Sequence, residues 1–297
     1  MNNRNFIIFI NPISGNRSKA DIKKLVADTL VKHGYIFQFL PTEQSGNYEF
    51  LKSKIEADKI TDVIICGGDG TISHITGHLQ NVVVNIGIIP MGSGNGLAFT
   101  AGIPKDPQKA MDVIVGGTAK YIDAFLINNR FACHNFGVGF DGKVAHDFSV
   151  SKKRGPSTYI KLVVKNYFKA KPYHFIVAAD GKKLEVSAFF IAVLNGNQFG
   201  NSLTIAPKAI LNDGLLDIII FKKSNKLNVF LKMLHQFKRG KVTSIENDKK
   251  LVHYFQAKKI QITNGENALI HIDGEPVDPI TTIDMEVIKN AYKLIQP

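Results

Sequence analysis

Val63-Ile64-Ile65-Cys66-Gly67-Gly68-Asp69-Gly70-Thr71 joins two unlike halves. Its first half is an apolar, largely β-branched run, the pattern of a buried strand. Its second half gathers three glycines around one aspartate and predicts a tight turn. Thr71 then precedes Ile72-Ser73-His74-Ile75 and is expected to cap a helix that starts there. A strand that breaks into a glycine turn and a helix start brings bare backbone N–H groups together, which suits a phosphate. A carboxylate inside such a turn needs a metal or a proton to coexist with phosphate. The loop therefore points to phosphoryl transfer rather than passive nucleotide binding.

Outward from this loop, the first 125 residues alternate strand and helix signals. Strands are expected at Phe6–Ile10, Ile36–Leu40, Asp62–Cys66 and Val82–Ile89, with helices at Ser18–His33, Tyr48–Ala57, Thr71–Leu79, Leu97–Ala101 and Pro107–Val115. That alternation predicts a parallel sheet covered on both faces. From about Ile122 the texture changes to short β-rich segments: Phe131–Val138, His174–Ala179, Glu185–Leu194, Leu215–Phe221, Lys259–Ile262 and Ala268–Ile272. These predict an antiparallel sandwich or barrel, with helices near Ser157–Phe168 and Lys226–Gln236. The last segment, Glu286–Pro297, reads as a strand or a helix returning to the first domain.

Charge divides the chain at the same place. Residues 1–125 hold 12 Lys and Arg against 11 Asp and Glu, whereas residues 126–297 hold 25 against 14. A near-neutral first half and a strongly basic second half suggest two modules, the second facing something anionic. Phe6–Ile10 is too short for a signal peptide, and the longest uncharged apolar run, Ala188–Leu194, is too short to span a bilayer. The two cysteines, Cys66 and Cys133, lack CxxC spacing, so a reducing cytoplasm is the expected setting.

Two further glycine-containing turns share the context of Gly67–Thr71. Asn11-Pro12-Ile13-Ser14-Gly15 follows the first strand, and Pro90-Met91-Gly92-Ser93-Gly94-Asn95 follows Ile86–Ile89. In an open parallel sheet, loops that follow strands collect at the carboxyl edge, where ligands bind. One such turn needs no functional explanation, because Gly, Pro, Asn and Ser make turns anyway. Three together predict a shared phosphate cradle. Neither a Walker GxxxxGK[ST] nor a GxGxxG after the first strand is present.

Gly67-Gly68-Asp69-Gly70-Thr71, followed by Pro90-x-Gly92-Ser93-x-Asn95, looks like the catalytic domain of the diacylglycerol kinase and sphingosine kinase superfamily. Ordered matches continue through Asn195-Gly196, Ala206-Pro207-x-Ala209, Asp213-Gly214-Leu215-Leu216-Asp217 and Asp273-Gly274-Glu275. The resemblance implies a Rossmann-like α/β N-terminal domain at 1–125, completed by 286–297, and an antiparallel β-sandwich lipid-substrate domain at 126–285. It implies an ATP- and Mg²⁺-dependent lipid kinase acting on diacylglycerol or a related lipid; a sphingoid-base kinase and a soluble-substrate kinase of the NAD-kinase-like group are the alternatives. The implied nucleotide-binding positions are Asn11, Pro12, Ser14, Gly15, Thr42, Gly67, Gly68, Asp69, Gly70, Thr71, Ser73, Gly92, Ser93 and Asn95. Glu275 resembles the base for the lipid hydroxyl, Asp69 the carboxylate that organises magnesium and phosphates or serves as the base itself. Asp213, with the carbonyls of Ile210 and Leu215, resembles a structural magnesium site. The implied partners are ATP, a lipid alcohol and an anionic membrane surface, with no nucleic acid; the expected location is cytoplasmic and peripheral at the inner membrane.

The motif departs from many relatives at two places. Ser73-His74 stand where they carry Asn-Glu, and Gly96 stands where bacterial diacylglycerol kinases carry an acid. His74 and His78, four apart on a helix, have no third ligand in sequence, so a packed or solvated pair is expected rather than zinc. Lys161, Lys165 and Lys169 recur every four residues, either a lysine face in water or a surface for anionic headgroups.

Overall fold

In the computed structural model, residues 4–152, 155–198, 205–223 and 251–297 are described. Four parallel strands, β1 (Asn5–Ile10), β2 (Ile36–Leu40), β3 (Asp62–Gly67) and β4 (Asn85–Pro90), lie in the order β4–β3–β1–β2. Phe6 to Phe9 and Val63 to Cys66 are wholly buried, because helices cover both faces of the sheet and leave no wet side. The covering helices are α1 (Lys19–Lys32), α2 (Phe50–Ala57), α3 (Asp69–Gly77), α4 (Gly96–Thr100) and α5 (Pro107–Gly116). In α1 the apolar spacing buries Ile22, Val26 and Leu30 on one stripe, and the Ser18 hydroxyl accepts from Asp21 N to cap the first turn. At the edge of the sheet away from the glycine loops, Arg4 forks onto the buried Asp62 carboxylate at 2.6 and 3.0 Å.

The second half is an antiparallel β-sandwich. Its strands are β5 (Thr118–Ile127), β6 (Arg130–Ala132), β7 (Asn135–Gly139), β8 (Tyr173–Ala179), β9 (Lys182–Leu194), β10 (Leu216–Lys222), β11 (Val252–Ala257), β12 (Lys259–Thr263), β13 (Ile270–Ile272), β14 (Glu275–Val277) and β15 (Thr282–Gln296). Strand β9 serves both layers: residues 182–188 pair with β8, and residues 188–194 pair with β10, with β7 along 190–194. Between the layers pack Phe125, Phe136, Phe175, Ile191, Ile218, Ile262, Ile270 and Ile283. Strand β15 joins the halves. Its start pairs antiparallel with β12, while Lys293 and Leu294 run parallel to β4.

Three local expectations change. Helix α3 starts at Asp69 with Gly68 as its cap, so Asp69 and Gly70 lie inside the first turn. Thr71 does not cap; its hydroxyl accepts from Asn11 Nδ2 at 2.7 Å. The expected strand 131–138 is broken into β6 and β7, because Cys133 and His134 turn their N–H groups toward Asp273. Helix α6 (Phe140–Ser149) and strands β5, β11 and β14 were not expected, whereas the helix α7 (Pro156–Lys169) lies where Ser157–Phe168 predicts one. The helix expected at Lys226–Gln236 lies outside the described residues.

Candidate active site

The loops after β1, β3 and β4 meet at the carboxyl edge of the parallel sheet, and glycines let them touch. A Cβ on Gly92 would stand 2.6 Å from Gly68 Cα, and one on Gly15, whose φ is +59°, would overlap the Met91 carbonyl. Met91 N donates to Gly67 O at 2.9 Å, and Asn11 N donates to Cys66 O at 3.0 Å. Asn11 therefore ties the first loop to the second twice, through its backbone and through Thr71. The Asn95 side chain closes the third loop on itself, accepting from Gly92 N at 2.7 Å and donating to Gly92 O at 2.8 Å. Lys19 donates to the carbonyls of Ser14, Gly15 and Arg17, so it braces the first loop.

The remaining nucleotide candidates are spread around this edge. Pro12 is exposed, and Ser14 and Ser93 are half-buried on the first and third loops. Thr42 lies in the loop after β2, at the outer end of the sheet. Ser73 is different: it is buried, with its side chain turned toward Cys133.

Asp69 is committed to the framework. Its two oxygens accept from Gly96 N at 3.0 Å and Leu97 N at 3.2 Å, capping α4 from outside. Burial pushes its carboxyl above the ordinary value, although the charge of His134 and these N–H groups pull it down.

Glu275 is held differently. It follows a two-residue turn in which Asp273 and Gly274 both have positive φ, at +48° and +81°, the geometry of a tight hairpin between β13 and β14. The buried Asp273 carboxylate fixes that turn by accepting from Cys133 N, Asn135 N and His134 N, at 2.8, 2.8 and 2.9 Å. From there Glu275 reaches across to α3. A Cβ on Gly70 would lie 2.8 Å from Glu275 Cδ, so the carboxyl occupies the space a side chain at 70 would fill. One helical turn further on, His74 Nε2 lies 3.1 Å from Glu275 Oε2, with Arg130 Nη2 at 3.8 Å. Desolvation pushes the Glu275 carboxyl up, but the hydrogen bond and charge of His74, joined by Arg130, outweigh it and hold it below the ordinary value. The site thus contains an ionised carboxylate at the rim of a glycine-built, N–H-rich floor. Such a group can accept a proton from a neutral hydroxyl.

Asp213 belongs to another corner. It is exposed on the turn before β10, where its Oδ1 accepts from Leu215 N at 2.9 Å and its Oδ2 faces Gln256 Nε2 at 3.4 Å. Ile210 is exposed on the same turn. A carboxylate with two backbone carbonyls is an oxygen donor set of the kind Mg²⁺ takes. No group of three or more His, Cys, Asp or Glu able to hold a metal occurs among the described residues. His74 and His78 do not share a ligand: the His78 ring Nδ1 lies 2.8 Å from the His74 carbonyl and the His74 ring faces Glu275.

Asp273, Arg130 and the contact between Gly70 and Glu275 escape a reading of the sequence. The one signal available is the Asp of the Asp-Gly-Glu turn, since a hairpin turn alone does not require a buried carboxylate.

Residues 5–127 match the diacylglycerol kinase catalytic domain, and residues 135–296 match the YegS C-terminal NAD kinase beta sandwich-like domain. The diacylglycerol kinase of Bacillus subtilis is 28% identical over 276 residues, spanning 90% of this chain and 88% of that protein. A protein of Shewanella frigidimarina named "Probable lipid kinase YegS-like" is 24% identical over 262 residues, spanning 86% of this chain and 82% of its own length. In fold, the chain is similar to a solved diacylglycerol kinase from Bacillus anthracis str. Sterne, with a TM-score of 0.76 at 20% identity over 100% of this chain and 98% of that one. The second match covers more than half of the chain, so the chain belongs to the family with the YegS C-terminal NAD kinase beta sandwich-like domain; joined to a diacylglycerol kinase catalytic domain in the first half, it is a kinase enzyme.

Proposed function

We propose that the protein transfers the γ-phosphoryl group of ATP to a hydroxyl of a lipid, diacylglycerol or a close relative, with Glu275 as the base. The observation that carries this reading is the seat of the Glu275 carboxyl against Gly70 and His74, beside the glycine loops. The N–H groups of Asn11–Gly15, Gly67–Thr71 and Gly92–Asn95 would cradle the phosphates without a P-loop lysine, since Lys19 is spent on bracing its own loop. As the lipid oxygen bonds to the γ-phosphorus and the bond to the bridging oxygen of ADP breaks, the hydroxyl proton passes to the Glu275 carboxylate. A carboxyl held ionised is present as a base throughout the neutral range. Asp69 is the weaker base candidate, because both of its oxygens are engaged by the start of α4.

Magnesium bound with the nucleotide supplies neutralisation of charge on the phosphoryl oxygens. Asp213 with the carbonyls of Ile210 and Leu215 would hold a structural magnesium ion, while Asp69, with both oxygens on the N–H groups that open α4, fixes the loop beside the phosphates. The acceptor reaches the enzyme from a membrane surface. On α7, the exposed Ile160, Val164 and Phe168 run beside the exposed Lys161, Lys165 and Lys169, an apolar stripe flanked by cations that suits anionic headgroups. No helix among the described residues is long and apolar enough to cross the membrane.

The test is a kinase assay on a lipid extract with Mg-ATP labelled in the γ-phosphate. Label should enter a lipid product in the wild type and disappear in Glu275→Gln. Absence of lipid phosphorylation across diacylglycerol, sphingoid and prenyl alcohol acceptors would sink the proposal.

A further inference from the structure

Helix α3 turns the same face toward Glu275 at two successive levels. Gly70 supplies the gap that admits the carboxyl, and His74, four residues on and so directly above it, supplies a ring nitrogen at 3.1 Å. An ionised carboxylate only accepts hydrogen bonds, so Nε2 must carry the proton and donate. The other side of the imidazole is also fixed. A Cβ on Gly46, a residue with φ of +73°, would lie 3.0 Å from His74 Nδ1 and 3.2 Å from Cε1 and Cγ, so the loop before α2 packs flat against the ring. The imidazole is thus clamped between a backbone and a carboxylate, which no packing requirement of α3 explains, since its core face is Ile72, Ile75 and Thr76.

We infer that His74 is a positioning residue for the transfer step: it holds Oε2 of Glu275 and leaves Oε1, the oxygen against Gly70, to receive the substrate proton. The inference rests on Glu275 being the base. The groups facing this pair are Arg130, 3.8 Å from Glu275, and Asp273 in the turn below. The hydrogen bond and the charge of Glu275 raise the His74 imidazole above its ordinary value against desolvation and Arg130, and the same contact lowers Glu275. At the position where many relatives have a second carboxylate, this chain therefore puts a donor that fixes the first.

Two variants and one titration test this. His74→Ala should lower kcat by about tenfold or more while the ATP KM moves less than about twofold, because a displaced base affects the transition state and not nucleotide binding. His74→Gln, whose amide nitrogen reaches the place of Nε2, should recover kcat to within about threefold of wild type. NMR titration of the His74 ring should give a pKa above 6.5 in the wild type that falls back in Glu275→Gln. Wild-type kcat in His74→Ala, failure of His74→Gln to rescue, or a His74 pKa unmoved by Glu275→Gln overturns the inference. Full activity in Glu275→Gln overturns instead the assignment of the base on which it rests.

Discussion

Replacing Gly70 with alanine separates the stability of α3 from its role at the site. Gly70 sits in the first turn of α3 and has helical backbone angles, so alanine fits the chain there without strain. Helix propensity alone favours alanine over glycine by about 0.5–1 kcal/mol. Opposing this, the new methyl would come within 2.8 Å of Glu275 Cδ, closer than nonbonded carbons pack, and the carboxyl must swing away. Its contact with His74 is between side chains that remain 36% and 42% exposed, so losing it costs no more than about 1 kcal/mol after solvent screening. The two stability effects nearly cancel. The catalytic effect has no such offset: moving a base by about 1 Å can cost about a hundredfold in rate. We therefore expect Gly70→Ala to unfold within about 1 kcal/mol of wild type in urea and to lose about a hundredfold in kcat on a lipid acceptor. A kcat equal to that of the wild type, or a loss of activity fully accounted for by unfolding, would rule out this role of Gly70.

Three further outcomes follow from the same geometry. Asp273→Asn keeps the left-handed backbone, which asparagine tolerates, but turns an N–H₂ toward one of the three donors at Cys133, His134 and Asn135; a loss of about 2–3 kcal/mol in urea unfolding is expected, with kcat falling as the Glu275 turn loosens. Gly96→Asp, which restores the acid many relatives carry, drives its Cβ into the His134 ring (2.6 Å from Cδ2) and sets a carboxylate beside Asp69, so a drop of about 1–3 kcal/mol read as a lower Tm is expected. The His74–Glu275 pair should stabilise the fold within a pH window. The depressed Glu275 contributes fully above 4.5 and loses its contribution as pH falls through its lower folded value; the raised His74 contributes fully below 6.5 and loses it as pH rises through its higher one. The stability difference between wild type and Glu275→Gln should be larger at pH 5.5 than at pH 8.5, and an equal difference would contradict the pairing.

Local rules reach most of the first half of this fold. A β-branched run between helical stripes admits little besides a buried parallel strand, and the strands at 5–10, 36–40 and 62–67 lie where that pattern puts them. The local rules fail where a partner comes from far along the chain. Residues 131–138 carry a continuous strand signal, yet three of their N–H groups are claimed by Asp273, about 140 positions later, and the strand breaks. Helix α6 opens on Phe140-Asp141-Gly142, whose Asp and Gly favour turns; it forms because Gly142 lets it press against the Leu269 carbonyl. The site divides the same way. The glycine loops are visible as motifs, because each must turn sharply after a strand. That Gly70 exists to admit Glu275, and that His74 donates to it, depends on a crossing of α3 with the β13–β14 hairpin that no local pattern encodes.

Transfer to a lipid with Glu275 as base is read by mass spectrometry of the product formed from a membrane lipid extract, Mg-ATP and purified protein, wild type beside Glu275→Gln. A phosphorylated lipid alcohol is expected from the wild type, at least about a hundredfold less from the variant, and unchanged folding of both. A phosphorylated lipid formed equally by both proteins would contradict the role of Glu275. Phosphorylation of water-soluble acceptors alone would contradict the lipid kinase itself.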